Sequence, residues 1–530
     1  MALRTVIQRS FIRNELNRLN RARSTVATAT KDFVDPEWAS AKPYKSIPSP
    51  KLFTFAKEFK EGGNTPVDDV GRYYDLTGGE LYGRWRDDYG LLMRIKGMLG
   101  RPDIVITFRP EDFEKVFRTE GVWPIRRASE TLSYYRQRVR PDVFGELSGL
   151  ITTQGEEWQK VRTMVNPVMM QPKIIQLYVD QVDAIAREFM SIVSGLRDGK
   201  SELPADFDQW LNRWALETVG VLALDTRLGV LKPEQSTEAK AIIALVRNVF
   251  DLIYKLEFEP SLWKYFKTPT FKRLMKEFDN LTNFIMTKID EAVQKFETSP
   301  TVGSNQSVLE KLLKVNKQVA TVMAFDMLMA GIDTTSSSTI GLLYCLANNP
   351  DKQIRLREEL RTILPHKDSP LTPDNMRNLP YLRACIKEGL RLYQPTPANV
   401  RKVGHNIVLQ GYQIPKHTEV VMASAALQRD AEHFPQPEAF LPERWLQGAG
   451  SVTGTVPNAK EAHPFIFLPF GFGARSCIGR RLAMMEMEIV IARFVRSYEV
   501  GWNYGKLKMK MGLINTPTVP LHFELKDVTD

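Results

Sequence analysis

The sequence predicts a mainly α-helical protein with a minor β subdomain, built around one buried core. Apolar residues recur at three- and four-residue spacing through most of residues 155–350, which is the periodicity of helices with one buried face. Short β-branched runs lie outside this stretch, near residues 104–106 and within residues 399–424. Hydrophobic residues make up 43% of the chain and charged residues 25%, a balance typical of a packed globular protein.

The individual elements follow from local patterns along the chain. Residues 88–109 predict a strand, a Gly-Arg-Pro turn and a second strand, and we expect a short helix to begin at Asp112. Further helices are predicted over residues 214–229, 278–296, 351–364, 378–393 and about 478–497. Short strands are expected over 399–424, and a Pro/Gly-rich irregular stretch over 430–476.

The apolar run at residues 319–347 is long enough to span a bilayer. Asp326 and Asp333 lie inside it, and each aspartate would cost about 2.5–3.5 kcal/mol at the centre of a membrane helix. We therefore predict that this run is a buried helix of a globular body.

The N-terminal residues carry half of the net charge of +10, because residues 1–24 contain six arginines and one acidic residue, Glu15. Apolar residues recur at helical spacing between these arginines, so we interpret residues 1–24 as a mitochondrial transit peptide. A disordered basic tail is the alternative. Residues 25–51 form a Pro/Ser-rich lead-in, and residues 52–530 are predicted to form a single domain. The remaining charge is spread over a large body and does not indicate a nucleic-acid partner.

The three cysteines, Cys345, Cys385 and Cys477, are too few and too scattered for a disulfide framework, and they fit a reducing compartment. Cys477 lies in residues 470–481 (FGFGARSCIGRR), which match the pattern F-x-x-G-x-R-x-C-x-G in full. A single cysteine in a glycine-rich loop is usually an inert buried thiol. The complete pattern favours a ligand-binding thiolate instead.

Four of the five fixed positions of this pattern have a physical reason. Gly473 and Gly479 allow a turn to lie flat against a planar ligand and to point N–H groups at the sulfur. Those donors and the N-terminus of the following helix favour thiolate over thiol at Cys477. Arg475 is suited to pair with a carboxylate of the ligand, and Phe470 completes the pattern.

A second cluster, residues 330–335 (AGIDTT), lies within the long apolar run. A glycine followed by hydroxyl residues is expected to loosen the helical hydrogen bonds and to leave a groove for a diatomic ligand and water. Clusters of this kind in helices are also common packing contacts.

Two pairs of residues are placed to act together on helices. Glu388 and Arg391 are three residues apart, which is an ordinary surface ion pair when taken alone. Trp158 and Arg162 lie one turn apart, so both can reach the same ligand edge. A core tryptophan beside a surface arginine is the alternative interpretation of the second pair.

Together these motifs resemble the cytochrome P-450 superfamily, and the resemblance covers the chain from about residue 40 onward. It implies that fold, with haem b buried between the long central helix and the Cys477 loop. Cys477 would be the thiolate ligand of the haem iron. The resemblance further implies that Thr334 hydrogen bonds to the iron-bound oxygen and that Asp333 helps to relay protons.

The resemblance also assigns roles to residues around the haem. Trp158, Arg162, Arg475 and Arg401 would contact the haem propionates. Glu388 and Arg391 would form the family's E-x-x-R pair, closed by Arg444 into a buried structural network that holds the Cys477 loop.

The leader and residues 214–229 resemble those of mitochondrial members, and most closely of insect ones. This implies a monooxygenase that takes electrons from NADPH through a ferredoxin reductase and an adrenodoxin-like 2Fe–2S ferredoxin. Arg383 and Lys387 match the positions at which such members dock the acidic ferredoxin, and Arg480 and Arg481 add positive charge nearby. A solvated basic face is the alternative.

The expected location is the matrix side of the mitochondrial inner membrane, with monotopic contact through residues 256–273, where aromatic and basic residues mix. An ordinary loop is equally compatible with that composition. The substrate would be an apolar small molecule, a xenobiotic such as an insecticide in preference to a steroid such as an ecdysteroid precursor. The substrate-facing segments are expected at residues 125–150, 324–335, 396–400 and 512–517.

Two other functions are compatible with a haem-thiolate site. The first is an isomerase or dehydratase that rearranges peroxides, against which the intact Asp333-Thr334 pair argues, since such an enzyme has little need for a proton relay. The second is a non-catalytic haem sensor, in which the basic docking residues would have no purpose.

Overall fold

The structure is a computed structural model that describes the greater part of the chain. The described residues are 35–51, 73, 76–98, 101–127, 129–145, 147–232, 237–298, 306–446 and 458–529. The predicted transit peptide, residues 25–34 of the lead-in and most of residues 52–75 lie outside this description.

Helices dominate the described residues, which confirms the predicted mainly α-helical class. In chain order the helices are α1 (Gly78–Tyr89), α2 (Pro110–Arg118), α3 (Glu130–Tyr134), α4 (Pro141–Phe144), α5 (Gly149–Thr152), α6 (Gly155–Met169), α7 (Lys173–Gln176), α8 (Val179–Leu196), α9 (Phe207–Leu224), α10 (Thr237–Glu257), α11 (Pro269–Thr298), α12 (Val308–Val315), α13 (Lys317–Ala347), α14 (Pro350–Ile363), α15 (Pro380–Leu392), α16 (Ser424–Leu427) and α17 (Arg480–Ser497).

The sheets are small. The strands are β1 (Leu92–Ile95), β2 (Ile104–Thr107), β3 (Asn399–Lys402), β4 (Ile407–Leu409), β5 (Tyr412–Ile414), β6 (Glu419–Met422), β7 (Tyr498–Gly501), β8 (Met509–Lys510), β9 (Thr516–Pro517) and β10 (Glu524–Asp527). Four of them form a sheet in the order β1-β2-β6-β3, in which β2 and β6 are parallel and the other pairs antiparallel. The remaining strands pair as β4-β5, β7-β10 and β8-β9.

The predicted strand-turn-strand unit is confirmed as β1 and β2, but the helix after it begins at Pro110 and not at Asp112. Proline suits the first position of a helix, because its fixed φ is helical and its missing N–H is not needed there. Asp112 is buried in the first turn, where its carboxylate accepts hydrogen bonds from Thr107 Oγ1 at 2.5 Å and from Gln410 Nε2 at 2.7 Å.

Three helix boundaries, on α9 and on the last helix, also differ from the sequence prediction. The helix predicted over 214–229 is α9, which begins earlier, at Phe207, and ends at Leu224. It ends because Asp225 adopts a left-handed conformation with φ of 52°, which an aspartate tolerates better than most residues. The last helix begins at Arg480 and not at 478, since Gly479 is its N-cap.

Helix α13 is the central element, as predicted. It packs against α9, α11, α12, α15 and α17, and most of its side chains are buried. Asp326 lies in this core, where its carboxylate binds Arg136 Nη2 at 2.6 Å and the Leu150 N–H at 2.9 Å. The helices of the described residues include none with the length and apolar character needed to cross a membrane.

The described part of the lead-in packs on the sheet region. Asp35 is 2% exposed, pairs with Lys115 Nζ at 2.7 Å and accepts the Val408 N–H at 2.8 Å. Ile47 belongs to the apolar cluster beneath β2 and β6. These contacts fix the start of the described chain against the small sheets.

Candidate active site

The Cys477 loop is a tight turn that ends directly before α17. The Cys477 N–H donates to the Phe470 carbonyl at 2.8 Å, which closes the turn. Gly471 and Gly473 have φ of 71° and 68°, in the left-handed region that favours glycine. A Cβ on Gly473 would lie 2.9 Å from Glu120 Oε1, so a larger residue would also have to displace the Glu120 carboxylate.

Cys477 differs from the other two cysteines in its accessibility. Cys345 and Cys385 are buried, whereas the Cys477 side chain is exposed. Burial by the surrounding protein nevertheless raises the pKa of the Cys477 thiol, and hydrogen bonds from the Gly479 and Arg480 N–H groups and the charge of Arg126 oppose that rise. The Cys477 sulfur is accessible, yet protein surrounds it closely. It therefore faces an internal recess.

The middle of α13 is also accessible although the surrounding protein is packed. Ala330 is exposed and Gly331, Asp333 and Thr334 are half-buried, although the helix on both sides of this stretch is buried. An exposed patch in the centre of a core helix faces an internal space. Helix α17, which follows the Cys477 loop, packs directly against α13.

The expected loosening of α13 at residues 330–335 does not occur, since the backbone stays α-helical throughout. Gly331 instead permits close packing, because a Cβ there would lie 2.8 Å from Val219 Cγ2 on α9. Thr334 Oγ1 donates to the Ala330 carbonyl one turn earlier at 2.7 Å. The hydroxyl therefore lies on the exposed side of the helix, close to Ala330.

A buried carboxyl near this patch was missed in the sequence. Glu486 on α17 accepts a hydrogen bond from Thr335 Oγ1 at 3.2 Å. Burial raises the pKa of Glu486 to about 8, and its Oε1 has no hydrogen-bond partner among the described residues. The available signal was a glutamate between Met485 and Met487 on an otherwise apolar stretch of helix.

Arg475 is held at the wall of the recess by backbone carbonyls. Its guanidinium donates to the carbonyls of Pro124 at 2.9 Å and Thr153 at 2.9 Å, and to Gln154 Oε1 at 2.7 Å. The same group lies 4.0 Å from the ring centre of Trp158, which is buried on α6. The structure thus brings Trp158 and Arg475 together.

Positive charge is in excess around this wall. Burial, and then the neighbouring charges of Arg126, Arg401 and Arg162, lower the pKa of Arg475 to about 9. Arg401 binds Glu120 Oε2 at 2.5 Å and the Phe472 carbonyl at 3.1 Å. The Glu120 carboxylate opposes these cations and acts to raise the pKa of Arg475.

One of these arginines, Arg162, has an unused hydrogen-bond donor for an anion. The Arg162 side chain is buried, and its Nε has no hydrogen-bond partner among the described residues. Arg126 was not identified from the sequence, yet its charge acts directly on both Cys477 and Arg475. Buried cations in excess of buried anions suit a ligand that carries carboxylates, and Cys477 lies close to the same cations.

Glu388 forms the centre of a fully buried ionic network. Its carboxylate binds Arg391 Nη2 at 2.8 Å, Arg444 Nε at 3.0 Å and Trp445 Nε1 at 2.8 Å. Arg391 in turn donates to the carbonyls of Gln428 and Pro437, both at 2.7 Å. The network joins α15 to the irregular segment that leads into the Cys477 loop.

The predicted docking residues surround one end of α15 and α17. Arg383 is bound to Glu488 Oε1 at 2.9 Å and to the carbonyls of Arg377 and Met376, each at 2.8 Å. Burial, and then the charges of Arg480, Arg383 and Lys460, lower the pKa of Lys387. Arg480 lies over the Phe470 ring with its guanidinium 5.7 Å from the ring centre.

Two of the predicted substrate-facing segments, 125–150 and 512–517, contact α13. The Asn515 N–H donates to the Pro395 carbonyl at 2.8 Å, and Ser337 on α13 donates to the Asn515 carbonyl at 2.6 Å. The Leu150 N–H binds Asp326 on the same helix. Segments 512–517 and 125–150 therefore border the helix that carries Thr334, and Pro395, which directly precedes segment 396–400, is bound to the first of them.

Part of segment 256–273 is exposed and part is core. Phe258, Leu262, Tyr265 and Phe266 are between 41% and 64% exposed. Phe271, by contrast, is 2% exposed and stacks on Trp263 with ring centres 5.3 Å apart. The exposed aromatic and apolar residues of this segment therefore lie within residues 258–266, whereas Phe271 belongs to the core.

The sequence is similar to that of known proteins over most of its length. The family model described as Cytochrome P450 matches residues 79–524. Cytochrome P450 CYP12A2 of Musca domestica is 43% identical over 520 residues, which cover 96% of this chain and 94% of that protein. "Probable cytochrome P450 12a5, mitochondrial" of Drosophila melanogaster is 44% identical over 93% of both chains. "Cytochrome P450 12b1, mitochondrial" of Drosophila acanthoptera is 41% identical over 88% of this chain and 87% of that protein.

Proposed function

The chain belongs to the cytochrome P450 family of haem-thiolate monooxygenases, and from that premise we propose that it is a mitochondrial enzyme that inserts one oxygen atom of O2 into an apolar substrate. We propose a xenobiotic in preference to a steroid as that substrate. The observation that carries the site assignment is the accessible Cys477 thiol beside a cluster of buried arginines.

Haem b is the group that this site would hold. Cys477 would ligate the iron, and Arg162, Arg475 and Arg126 would bind the propionates, with Trp158 stacked beneath Arg475. When bound, the haem supplies the activation of O2, which the electron-donating thiolate favours. Arg401 would support the Cys477 loop, because its guanidinium already binds Glu120 and the Phe472 carbonyl.

Residues of α13 would hold and transfer protons on their side of the recess. The Thr334 hydroxyl holds one proton, donated to the Ala330 carbonyl in this structure, and the same oxygen has lone pairs left to accept another hydrogen bond. Asp333 is half-buried beside it and would exchange protons with solvent. An enzyme that rearranges peroxides has little use for such a relay, which favours the monooxygenase over an isomerase.

An acidic 2Fe–2S ferredoxin, reduced by its NADPH-dependent reductase, is the proposed electron donor. Lys387, Arg480 and Arg481 supply positive charge on the elements that flank the Cys477 loop, so a bound donor would lie close to the thiolate. A non-catalytic haem sensor would not require these cations.

The proposed location is the matrix side of the mitochondrial inner membrane. Relatives at 41% and 44% identity carry the word mitochondrial in their names, and residues 1–24 have the composition of a transit peptide. Exposed aromatic residues with Lys264 and Lys267 nearby suit monotopic contact through residues 258–266.

Reconstitution tests this function. Haem-loaded protein is combined with a mitochondrial ferredoxin, its reductase, NADPH and O2, after a screen of xenobiotics and ecdysteroid precursors for ligands that shift the haem spectrum. We expect a xenobiotic hit to yield a product one oxygen atom heavier, with NADPH consumed. Product formation without NADPH or O2 would contradict the monooxygenase, and turnover of ecdysteroid precursors alone would contradict the substrate class.

A further inference from the structure

The proposed docking surface contains a pocket and not only a basic patch. A cavity of about 530 Å³ opens between the C-terminal end of α6, α15 and the first turns of α17. Four methionines line it, namely Met170, Met376, Met484 and Met485, and the cationic residues stand around them. Met170 and Met484 are half-buried, whereas Met376 and Met485 are 5% and 2% exposed. The methionines therefore form an apolar floor.

Arg383 is part of the wall of this pocket. Its Nε and one Nη bind both oxygens of Glu488, and its Nη atoms also donate to the carbonyls of Arg377 and Met376. Glu488 is buried and contributes to the same lining. A guanidinium with these four bonds, two of them to the Glu488 carboxylate, has little charge or hydrogen-bonding capacity to offer an acidic partner.

Other cations on the rim are not neutralised in this way. Lys387, one turn after Arg383, is exposed and is surrounded by the positive charges of Arg480, Arg383 and Lys460. Arg480 is exposed and Arg481 half-exposed, and both line the pocket directly after the Cys477 loop. An apolar floor inside a cationic rim complements an apolar side chain flanked by carboxylates.

We propose that the acidic electron-donor protein inserts an apolar side chain into this methionine-lined pocket while its carboxylates pair with Lys387, Arg480 and Arg481, and that Arg383 positions the pocket wall instead of docking. The inference rests on the proposed ferredoxin-dependent function and specifies the mode of docking. Methionine suits this use because its unbranched, polarizable side chain adapts to different partners. An anchor side chain in a desolvated pocket commonly contributes most of the affinity of an interface.

The experiment separates the pocket from the charges. Haem-loaded full-length protein is titrated with a reduced mitochondrial 2Fe–2S ferredoxin, and the apparent Kd and the rate of first-electron transfer are read from the carbon monoxide complex. Met484→Trp fills the pocket without a change of charge, and Met170→Trp fills it from another helix. Met98→Trp is the matched control, since Met98 is 39% exposed and lies outside this surface.

We expect Met484→Trp and Met170→Trp to raise the apparent Kd for ferredoxin by about tenfold. The dependence of Kd on salt should remain that of the wild type, while Met98→Trp should behave as wild type throughout. Reduction by dithionite, which needs no docking, should be unchanged in all three variants. That control also shows that each variant is folded and holds haem.

A second comparison tests the role of Arg383. Lys387→Gln should raise the Kd and reduce its salt dependence, because it removes a docking charge. Arg383→Gln should raise the Kd with the salt dependence unchanged, and Glu488→Gln, which keeps the arginine, should act in the same direction as Arg383→Gln. A loss of salt dependence in Arg383→Gln equal to that in Lys387→Gln would overturn the positioning role.

Failure of the pocket and failure of the function give different results. If ferredoxin does not reduce the wild type at all, the proposed electron route is wrong and the docking proposal falls with it. If ferredoxin reduces the wild type and Lys387→Gln weakens binding, but both tryptophan variants bind normally, only the pocket is wrong. The pocket is also wrong if the tryptophan variants change binding to anionic vesicles and leave ferredoxin binding unchanged.

Discussion

Thr335 on the central helix donates a hydrogen bond to Glu486 on α17 at 3.2 Å, and both side chains are 2% exposed. Burial raises the pKa of Glu486 from its ordinary value of 4.5 to about 8. The folded protein therefore keeps a proton on Glu486 at pH values where the unfolded chain has lost it.

This carboxyl predicts how stability depends on pH. Between the unfolded pKa of 4.5 and the folded pKa of about 8, the folded state binds one more proton than the unfolded state, so stability falls as pH rises. The contribution is up to about 1.4 kcal/mol per pH unit. Glu486→Gln should flatten the dependence of the free energy of unfolding on pH across this window, as measured by urea titrations. Glu432→Gln, at an exposed position, is the control, and a wild-type slope in Glu486→Gln would refute the prediction.

Removal of the Arg162 guanidinium should weaken haem retention. Its buried Nε lacks a partner among the described residues, and a charge-assisted hydrogen bond to a propionate contributes about 1.5–3 kcal/mol. Arg162→Leu should therefore speed haem transfer to an excess of apomyoglobin by roughly tenfold to a hundredfold. Lys160→Leu, on the same helix with a side chain 67% exposed, should have little effect.

The same variant should not destabilise the haem-free protein. Arg162→Leu removes one of several buried cations that lower the pKa of Arg475, so the apoprotein should be no less stable than the wild type. Equal destabilisation of the haem-free and haem-loaded proteins would show a packing role for Arg162 and no role in haem binding.

The proton relay predicts a change in product distribution for Thr334→Ala. NADPH consumption should continue, while hydrogen peroxide rises at the expense of oxygenated product, because the proton donor beside Ala330 is lost. Thr321→Ala is a matched control, since Thr321 donates to the carbonyl four residues before it, as Thr334 does, but stands thirteen residues earlier on α13. Unchanged peroxide per NADPH in Thr334→Ala would remove Thr334 from the relay.

The Glu388 network predicts a large effect on stability. Glu388→Gln would leave Arg391 and Arg444 buried without their counter-charge, which costs about 3–5 kcal/mol. Glu438→Gln is the comparison, because Glu438 pairs with Arg429 but its side chain is 64% exposed, and it should cost at most about 1 kcal/mol. The free energies of unfolding of the two variants are compared with that of the wild type. Similar losses in the two variants would contradict the structural role of Glu388.

Local patterns were sufficient to predict much of the fold and the core of the site. The long central helix, the strands β1 and β2 and the glycine-rich turn at Cys477 each follow from residues close together in sequence. Helix ends were less predictable, because they depend on single residues such as Pro110 and Asp225.

Contacts between distant segments could not be predicted from local patterns. Thr335 and Glu486 are 151 residues apart, and Arg383 and Glu488 are 105 apart, so no spacing rule joins them. Arg126 gave no signal either, since its position beside Cys477 depends on how the loop before α3 folds back onto the site. The sequence indicated which residue types the chemistry needs, and the tertiary fold decided which arginines remain available for it.

The most direct test of the account is the spectrum of the reduced, carbon-monoxide-bound protein, measured beside Cys477→His. The wild type should absorb at about 450 nm, as thiolate-ligated haem of this family does, and Cys477→His should lose that band while it still binds haem. A folded, haem-loaded wild type without the band, or a Cys477→His variant that keeps it, would contradict the assignment of Cys477 as the thiolate ligand.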